Sequence, residues 1–189
     1  MIKKIKLLYK KIKNKLKKRH DRFLKDISGV VHVGANSGQE RSIYRQHSLN
    51  VLWIEPIPSV FDKLDDNIKN FENQRALQAL VTDVDGKEYE LNIANNNGAS
   101  SSIFNLKDHK KIWPNVKYNK SVNIESVTLA TLFERGEIDA SKYEALIMDT
   151  QGAELLVLRG SRRILDNFKF IKTEVADFES YEGSCQLAD

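Results

Sequence analysis

Short apolar runs alternate with helix-like segments from residue 28 onward. Each run is long enough for one strand, and four of them have the character of strands in a parallel sheet: Val30–Val33, Val51–Ile54, Ala145–Met148 and Phe170–Thr173. Helical spacing follows the first two runs, over Gln39–Gln46 and again behind Pro58. This alternation predicts an α/β domain with a mostly parallel sheet and helices on both faces.

The middle of the chain predicts additional strands. Ser59 is expected to cap the helix behind Pro58, and the apolar stripe of that helix is Val60, Phe61, Leu64, Ile68 and Phe71. We expect a third strand over Ala76–Val81, joined through the turn Asp85-Gly86 to Glu88–Ile93 as a hairpin. We therefore expect some antiparallel strand pairing in addition to the parallel sheet.

The beginning of the chain differs from the rest in charge. Residues 1–25 hold twelve of the 30 Lys and Arg residues but only one of the 26 acids, so the remainder is acidic although the net charge is +4. Apolar residues recur there mostly at steps of three or four, which predicts a basic amphipathic helix over residues 1–27, ahead of a domain over residues 28–189. Such a segment either packs its stripe on the domain as a solvated helix or is frayed, which we favour, or it lies on an anionic membrane surface. RNA is a weaker candidate for the binding partner of residues 1–25, because only Tyr9 in this segment offers a surface on which a base could stack.

Composition excludes several classes of protein. The chain has no run of about eighteen apolar residues that would span a bilayer, and its start lacks the pattern of a secretory signal. Cys185 is the only cysteine, which excludes an intramolecular disulfide and favours a reducing compartment. The four histidines and one cysteine show no metal-ligand spacing, so no metal is expected. We therefore expect a cytoplasmic protein, with peripheral membrane contact through residues 1–25 left open.

Glycines and acids follow the predicted parallel strands. The first strand runs into a turn that contains Gly34 and Gly38, and the second strand ends in Glu55. Asp149 and Glu174 follow the strands at 145–148 and 170–173. Because the carboxyl ends of parallel strands share one edge of a sheet, we expect a ligand site there, with Glu55 accepting both hydroxyls of a ribose.

The glycine turn narrows the kind of ligand. A dinucleotide site needs Gly-x-Gly-x-x-Gly, whereas Asn36 stands between Gly34 and Gly38 at the position of the close-approach glycine. No Gly-Lys-Ser/Thr follows, which excludes a P-loop. A ribose-bearing ligand without phosphates, such as S-adenosylmethionine, fits this turn better. A nicotinamide-dependent oxidoreductase on the same sheet stays open as an alternative.

Several motifs resemble one family in their order and spacing. The stretches Val33–Gly38, Trp53–Pro56, Ser101-Ser102 and Met148–Glu154 look like those of the FkbM family of S-adenosylmethionine-dependent methyltransferases, over about residues 28–183. The resemblance implies a Rossmann-like class I methyltransferase fold. It also implies methyl transfer to a hydroxyl oxygen, commonly of a saccharide or a polyketide-type product.

The chain departs from the family pattern at four positions and at its end. His32 and Gln151 stand where the family commonly has acids, Ala130 stands where an aspartate is usual, and Ile147 replaces a common lysine. Class I methyltransferases normally finish with a helix and an antiparallel hairpin beyond the fifth strand. With Asp189 as the last residue, we expect that hairpin to be missing and the domain to be C-terminally incomplete or unusually short.

The resemblance implies roles for individual residues. Gly34, Asn36 and Gly38 would pass under the methionine part of the cofactor, and Glu55 would hold the ribose. The remaining cofactor positions are Ala35 and Pro56 beside them, Asp83 flanking the adenine, and Ser101 closing the pocket.

For the chemistry, Asp149 is the first candidate to orient or deprotonate the acceptor hydroxyl, and Glu174 is the second. Glu154 is expected to cap or brace its helix. His109 is expected to be a surface histidine, and a base on a mobile lid is the alternative. The carboxylates of Asp149 and Glu174 could in principle hold Mg²⁺, but carboxylates alone do not argue for a metal.

Two questions stay open at this point. The acceptor is expected to be a small molecule or a glycan, because the acidic domain has no Asn/Asp-Pro-Pro-Tyr-like element of nucleic-acid N-methylation. The rival to an active enzyme is a degenerate methyltransferase-like binding protein that is tethered to a membrane. Oligomeric state is not encoded in any pattern of the sequence.

Overall fold

The computed structural model describes residues 21–189, so the predicted leader helix lies almost wholly outside the described residues. Its last part is a 3₁₀ segment over Arg22–Asp26. The strands β1–β8 of the described chain are, in order, Gly29–Val33, Asn50–Ile54, Gln74–Leu77, Leu80–Thr82, Glu88–Ala94, Tyr118–Thr128, Ala145–Met148 and Phe170–Thr173. The α-helices α1–α5 are Arg41–Gln46, Pro58–Ile68, His109–Ile112, Leu129–Glu134 and Glu154–Gly160. Two short 3₁₀ segments, Ala140–Lys142 and Leu165–Asn167, precede β7 and β8. No helix among these residues is long and apolar enough to cross a membrane.

A five-stranded parallel sheet forms the centre of the domain. Its order is β3-β2-β1-β7-β8, and each neighbouring pair runs parallel. The order reverses at β1, so the carboxyl ends of β1, β2 and β7 meet where helices cross to opposite faces. The predicted α/β class with a mostly parallel sheet is confirmed.

Helices cover both faces of this sheet. On one face, Val31, Leu52 and Leu146 pack with Val157 of α5 and Leu129 of α4. On the other face, alternate residues of the same strands pack against α1 and α2: Val30, Val51, Trp53, Tyr44, Leu64 and Ile68. The continuous burial of β1, β2 and β7 on both faces explains their apolar runs.

A second, three-stranded sheet corrects the predicted hairpin. The expected strand Ala76–Val81 is two strands, of which β3 belongs to the central sheet and β4 to the second sheet. The eleven-residue β6 pairs parallel with β4 and antiparallel with β5, so β5 does not pair with the strand that precedes it. Asp85 was therefore the wrong residue for a hairpin turn. Its carboxylate instead accepts hydrogen bonds from the backbone N–H of Thr128 at 2.7 Å and from the Thr131 hydroxyl at 2.8 Å, at the start of α4.

One local prediction about a helix is also wrong. No side chain caps α2; Pro58 occupies its first turn, where a missing N–H costs nothing and the fixed φ favours the helix. Ser59 is therefore not the cap.

Beyond β8, residues 174–189 form turns that we call the C-terminal segment. Tyr181 makes a β-bridge with Leu106, and the carbonyl of Ser180 accepts the backbone N–H groups of Lys107 at 3.0 Å and His109 at 3.1 Å. These bonds hold the C-terminal segment against the start of α3, next to the carboxyl ends of β7 and β8.

The ends of β1 and β7 touch at a glycine. Gly34 has φ +80°, and its backbone N–H donates to the carbonyl of Ile54 at 2.9 Å. A Cβ at this position would lie 2.0 Å from the carbonyl oxygen of Asp149, which is backbone and cannot rotate away. The left-handed conformation and the contact both require glycine here.

We predict that Gly34→Ala lowers the free energy of unfolding by about 3 kcal/mol or more, because it adds an overlap with backbone to the cost of a positive φ. Urea titration of the full chain measures this. Gly86→Ala is the matched control, since Gly86 has φ +73° and no neighbouring atom lies within 4 Å of the position that a Cβ would take, and it should cost only about 1 kcal/mol. Equal losses in the two variants would show that the strand ends do not press on each other.

Candidate active site

A cavity of about 210 Å³ lies at the carboxyl ends of β1, β2, β4 and β7. Predicted site residues from four separate stretches line it: Gly34, Asn36, Glu55, Pro56, Ser101 and Asp149. One wall is apolar and comes mainly from the second sheet and its neighbours: Ile57, Ala79, Leu80, Val81, Leu91 and Ile103. The cavity thus combines an apolar wall with a few polar groups, as small-molecule sites generally do.

Glu55 ties the first two strand ends together. Its Oε2 accepts the backbone N–H of Asn36 at 2.9 Å, and its Oε1 accepts the backbone N–H of Ile57 at 3.0 Å. The side chain is buried, and this burial raises the pKa of Glu55 to about 7, against the two N–H donors, which lower it. Each carboxylate oxygen has two lone pairs, so each keeps one for a further donor from the cavity.

Asn36 shapes the turn after β1. It has φ +45°, a left-handed conformation that asparagine tolerates better than most residues. Its Oδ1 accepts the backbone N–H of Ser37 at 2.7 Å and the side-chain amide of Gln39 at 3.1 Å, and its Nδ2 donates to the carbonyl of Asn97 at 3.2 Å. The side chain therefore fills the space in which a dinucleotide fold keeps a glycine.

Asp149 lies at the end of β7 and is common to two cavities. Besides the first cavity it lines a second one of about 640 Å³, which lies on the side of β8 and the C-terminal segment. Burial raises the pKa of Asp149 to about 7, and the nearby carboxylates of Glu174, Glu154 and Glu40 raise it as well. The side-chain amide of Gln151 donates to Oδ1 and opposes this rise. Every charged group that shifts this pKa is another acid, so Asp149 is poised to hold a proton.

The second cavity has an aromatic and acidic lining. Glu174, at the end of β8, lines it and is exposed, and Trp113, Phe178 and Tyr181 provide aromatic walls. Ala99, Asp149 and Gln151 separate this cavity from the first one, because they line both.

His109 was predicted to be a surface histidine, and this is wrong. It is 4% exposed, and its ring packs on Trp113 at 4.6 Å and on Tyr181 at 5.4 Å between centroids. Its Nδ1 is buried without a hydrogen-bond partner, and burial lowers the pKa of the imidazole. The ring therefore faces the second cavity as a neutral group. Its burial depends on the C-terminal segment, which is why local sequence around residue 109 did not reveal it.

Glu154 holds the loop between β7 and α5, rather than the helix that it was expected to brace. Its Oε1 accepts the backbone N–H of Thr150 at 2.8 Å, and its Oε2 accepts that of Gly152 at 3.0 Å. These bonds hold the backbone on both sides of Gln151, at the boundary between the two cavities.

Three predicted cofactor residues lie outside the first cavity. Ala35 is buried in the core beneath the turn, and a Cβ on Gly38 would meet Leu64 of α2 at 2.8 Å, so both residues serve packing. Asp83 is exposed and lines a separate surface cavity together with Arg159. The adjacent Leu80 and Val81 reach the first cavity instead.

His32 is a core residue. Its ring stacks on Trp53 at 5.0 Å, and its Nδ1 lies 3.1 Å from the hydroxyl of Tyr44. Burial, with a smaller contribution from Lys172, lowers the pKa of His32 to about 3, so it stays neutral. Among residues 21–189, no group of three or more His, Cys, Asp and Glu residues is placed to hold a metal ion.

Comparisons with known proteins agree with this geometry. The chain matches the model of the methyltransferase FkbM domain over residues 32–188. The 2-O-methyltransferase NoeI of Sinorhizobium fredii (strain NBRC 101917 / NGR234) is 24% identical over 166 residues, which cover 84% of this chain and 67% of that protein. A search of solved structures found no match. The family match covers most of the chain and includes both cavities, so this protein belongs to the FkbM methyltransferase family.

Proposed function

We propose that this protein transfers a methyl group from S-adenosylmethionine to a hydroxyl oxygen of a saccharide or polyketide-like acceptor. The observation that carries the proposal is that one carboxylate, Asp149, lines both cavities at the edge of the sheet. A methyl donor and an acceptor held in two cavities would meet at that residue. The similarity to a 2-O-methyltransferase supports oxygen as the receiving atom.

The first cavity fits the methyl donor in its chemistry. The free lone pairs of Glu55 suit the two hydroxyls of a ribose, and the apolar wall of Leu80, Val81 and Leu91 suits the faces of an adenine. Gly34 and Asn36 would lie against the methionine part, next to Asp149. S-adenosylmethionine, when bound, supplies a methyl group on a positively charged sulfur.

The second cavity fits the acceptor. Its aromatic side chains, Trp113, Phe178 and Tyr181, suit the apolar face of a ring, while Asp149 and Glu174 suit hydroxyl groups. A hydroxyl is a poor nucleophile until a base accepts its proton, and a base works best when its pKa is near the working pH. The raised pKa of Asp149 matches this requirement, and the exposed Glu174 would assist it.

The nicotinamide alternative is disfavoured by the turn after β1. The Asn36 side chain fills the close-approach position through its bonds to Ser37 and Gln39, where a pyrophosphate would need bare backbone. A binding protein without turnover remains the rival, and the second prediction below distinguishes it. We also propose, from charge alone, that residues 1–25 contact anionic membrane, as a leader to the catalytic domain over residues 28–189.

The first prediction concerns the methyl donor. Glu55→Ala should weaken binding of S-adenosylmethionine to the full chain by about tenfold or more, because hydrogen bonds to a charged group are lost. Isothermal titration calorimetry measures this. Asp83→Ala removes a carboxyl that lines a separate surface cavity and should leave the affinity unchanged. Absence of binding to the unaltered protein, or equal binding by Glu55→Ala, would contradict the cofactor assignment.

The second prediction concerns turnover. Asp149→Asn should keep the affinity for S-adenosylmethionine within about twofold, yet lower methyl transfer by about 10²-fold or more, because the amide cannot accept a proton. Transfer of labelled methyl groups to a panel of glycosides and polyketide-type alcohols measures this. Retained turnover would move the base to another residue. Cofactor binding by the unaltered protein without transfer to any acceptor would favour the binding-protein rival.

The third prediction follows from the raised pKa of Asp149. Folding raises this pKa from about 4 to about 7, so the folded state holds the proton more tightly and loses stability as the pH rises between these values. Asp149→Asn should match the unaltered protein below about pH 4, and its excess in free energy of unfolding should grow by about 2–3 kcal/mol between pH 5 and pH 8. Urea titration at both pH values measures this, and an equal difference at the two pH values would show that Asp149 is not protonated by folding.

A further inference from the structure

Gln151 connects Asp149 to the C-terminal segment. Its Nε2 donates to Oδ1 of Asp149, and its Oε1 accepts the hydroxyl of Tyr181 at 2.6 Å. The two contacts agree on one orientation of the amide, because the reverse orientation would set the amide oxygen against the carboxylate. The side chain of Gln151 therefore spans the boundary between the two cavities, and its amide has one defined orientation.

Both ends of this connection are held in place. Gln151 has φ +55°, and its carbonyl accepts the hydroxyl of Ser102 at 2.7 Å. The flanking N–H groups of residues 150 and 152 are held by Glu154. Tyr181 is buried, its ring packs on His109, and burial raises the pKa of its hydroxyl, so it remains a hydrogen-bond donor near neutral pH. The amide of Gln151 is thus fixed by contacts outside its own loop.

The connection makes the two oxygens of Asp149 different. Oδ1 is occupied by the amide of Gln151, whereas Oδ2 accepts no hydrogen bond from any residue within the described range 21–189. We propose that Gln151 and Tyr181 are positioning residues, which hold Oδ1 of Asp149 so that Oδ2 points to the acceptor and takes its proton. This inference rests on the proposed role of Asp149 as the base, and it assigns the proton to one oxygen.

The charges around Asp149 give Gln151 a second effect. Glu174 follows β8, Glu154 begins α5 and Glu40 precedes α1, and all three carboxylates raise the pKa of Asp149. The amide of Gln151 is the group that lowers it. A glutamate at position 151 would add a fourth negative charge. The glutamine of this chain thus keeps the carboxylate available near neutral pH.

The test follows the ionisation of Asp149 in the full chain by NMR, with ¹³C-labelled aspartate carboxyls and Asp149→Asn to identify the signal. Gln151→Asn tolerates the left-handed backbone but is too short to reach both partners, and it should raise the measured pKa of Asp149 by about 0.5 or more. Gln151→Glu should raise it further, by about one or more. Tyr181→Phe keeps the ring and should also raise it, since it releases the amide.

Tyr118→Phe is the matched control. Tyr118 donates its hydroxyl to the carbonyl of Phe104 at 2.8 Å and makes no hydrogen bond to Gln151 or Asp149, so its loss should change the pKa of Asp149 less than the loss of the Tyr181 hydroxyl does. In the unaltered protein, the side-chain amide signals of Gln151 should shift with pH, and the midpoint of this shift should equal the pKa of Asp149. This second measurement needs no variant. The proposal would be overturned if Tyr181→Phe left the pKa of Asp149 unchanged or changed it no more than Tyr118→Phe does. It would also be overturned if the amide signals of Gln151 did not shift as Asp149 titrates. Calorimetric binding of S-adenosylmethionine is measured separately, so failure of the cofactor assignment is distinguishable from failure of this one.

Discussion

The close approach of two strand ends is the constraint on which the rest of the site depends. Gly34 lies against the carbonyl of Asp149, with no room for a side chain, and the same turn donates backbone N–H groups to Ile54 and Glu55. The ends of β1, β2 and β7 are therefore held as one unit, and their acids cannot move apart. A ligand that enters this edge meets Glu55 and Asp149 at a separation set by backbone contacts rather than by mobile loops.

Two carboxyls with pKa values raised to about 7 stand at this edge, and their surroundings separate their roles. Glu55 is satisfied by two backbone N–H donors and belongs to the first cavity only. Asp149 has one side-chain donor, stands among other acids and belongs to both cavities. Perturbed acids in a cleft are typical of functional sites. We propose that Glu55 holds the methyl donor and that Asp149 reacts with the acceptor, which is the pairing that methyl transfer between two bound molecules requires.

Local pattern predicted the central sheet well, and long-range contacts account for the errors. The bounds of β7 and β8 were predicted without error, because their runs are short and sharply limited. Residues 76–81 appear continuous in sequence, yet the chain passes there from one sheet to another, which depends on pairing with β6 more than forty residues later. The burial of His109 depends on Tyr181, and the hydrogen bonds of Asp85 depend on Thr128 and Thr131. Within the site, the residues that directly follow parallel strands lie close together, as the sequence pattern predicted. The aromatic walls of the second cavity could not be predicted, because no local sequence pattern indicates them.

The central claim is that the methyl donor lies across Glu55 with its sulfur facing Asp149, and a crystal structure with S-adenosylhomocysteine tests it most directly. We expect the ribose hydroxyls within about 3.2 Å of the Glu55 carboxylate and the sulfur turned toward Oδ2 of Asp149 at the opening into the second cavity. A ligand bound elsewhere, or one whose sulfur faces away from Asp149, would contradict the proposed function.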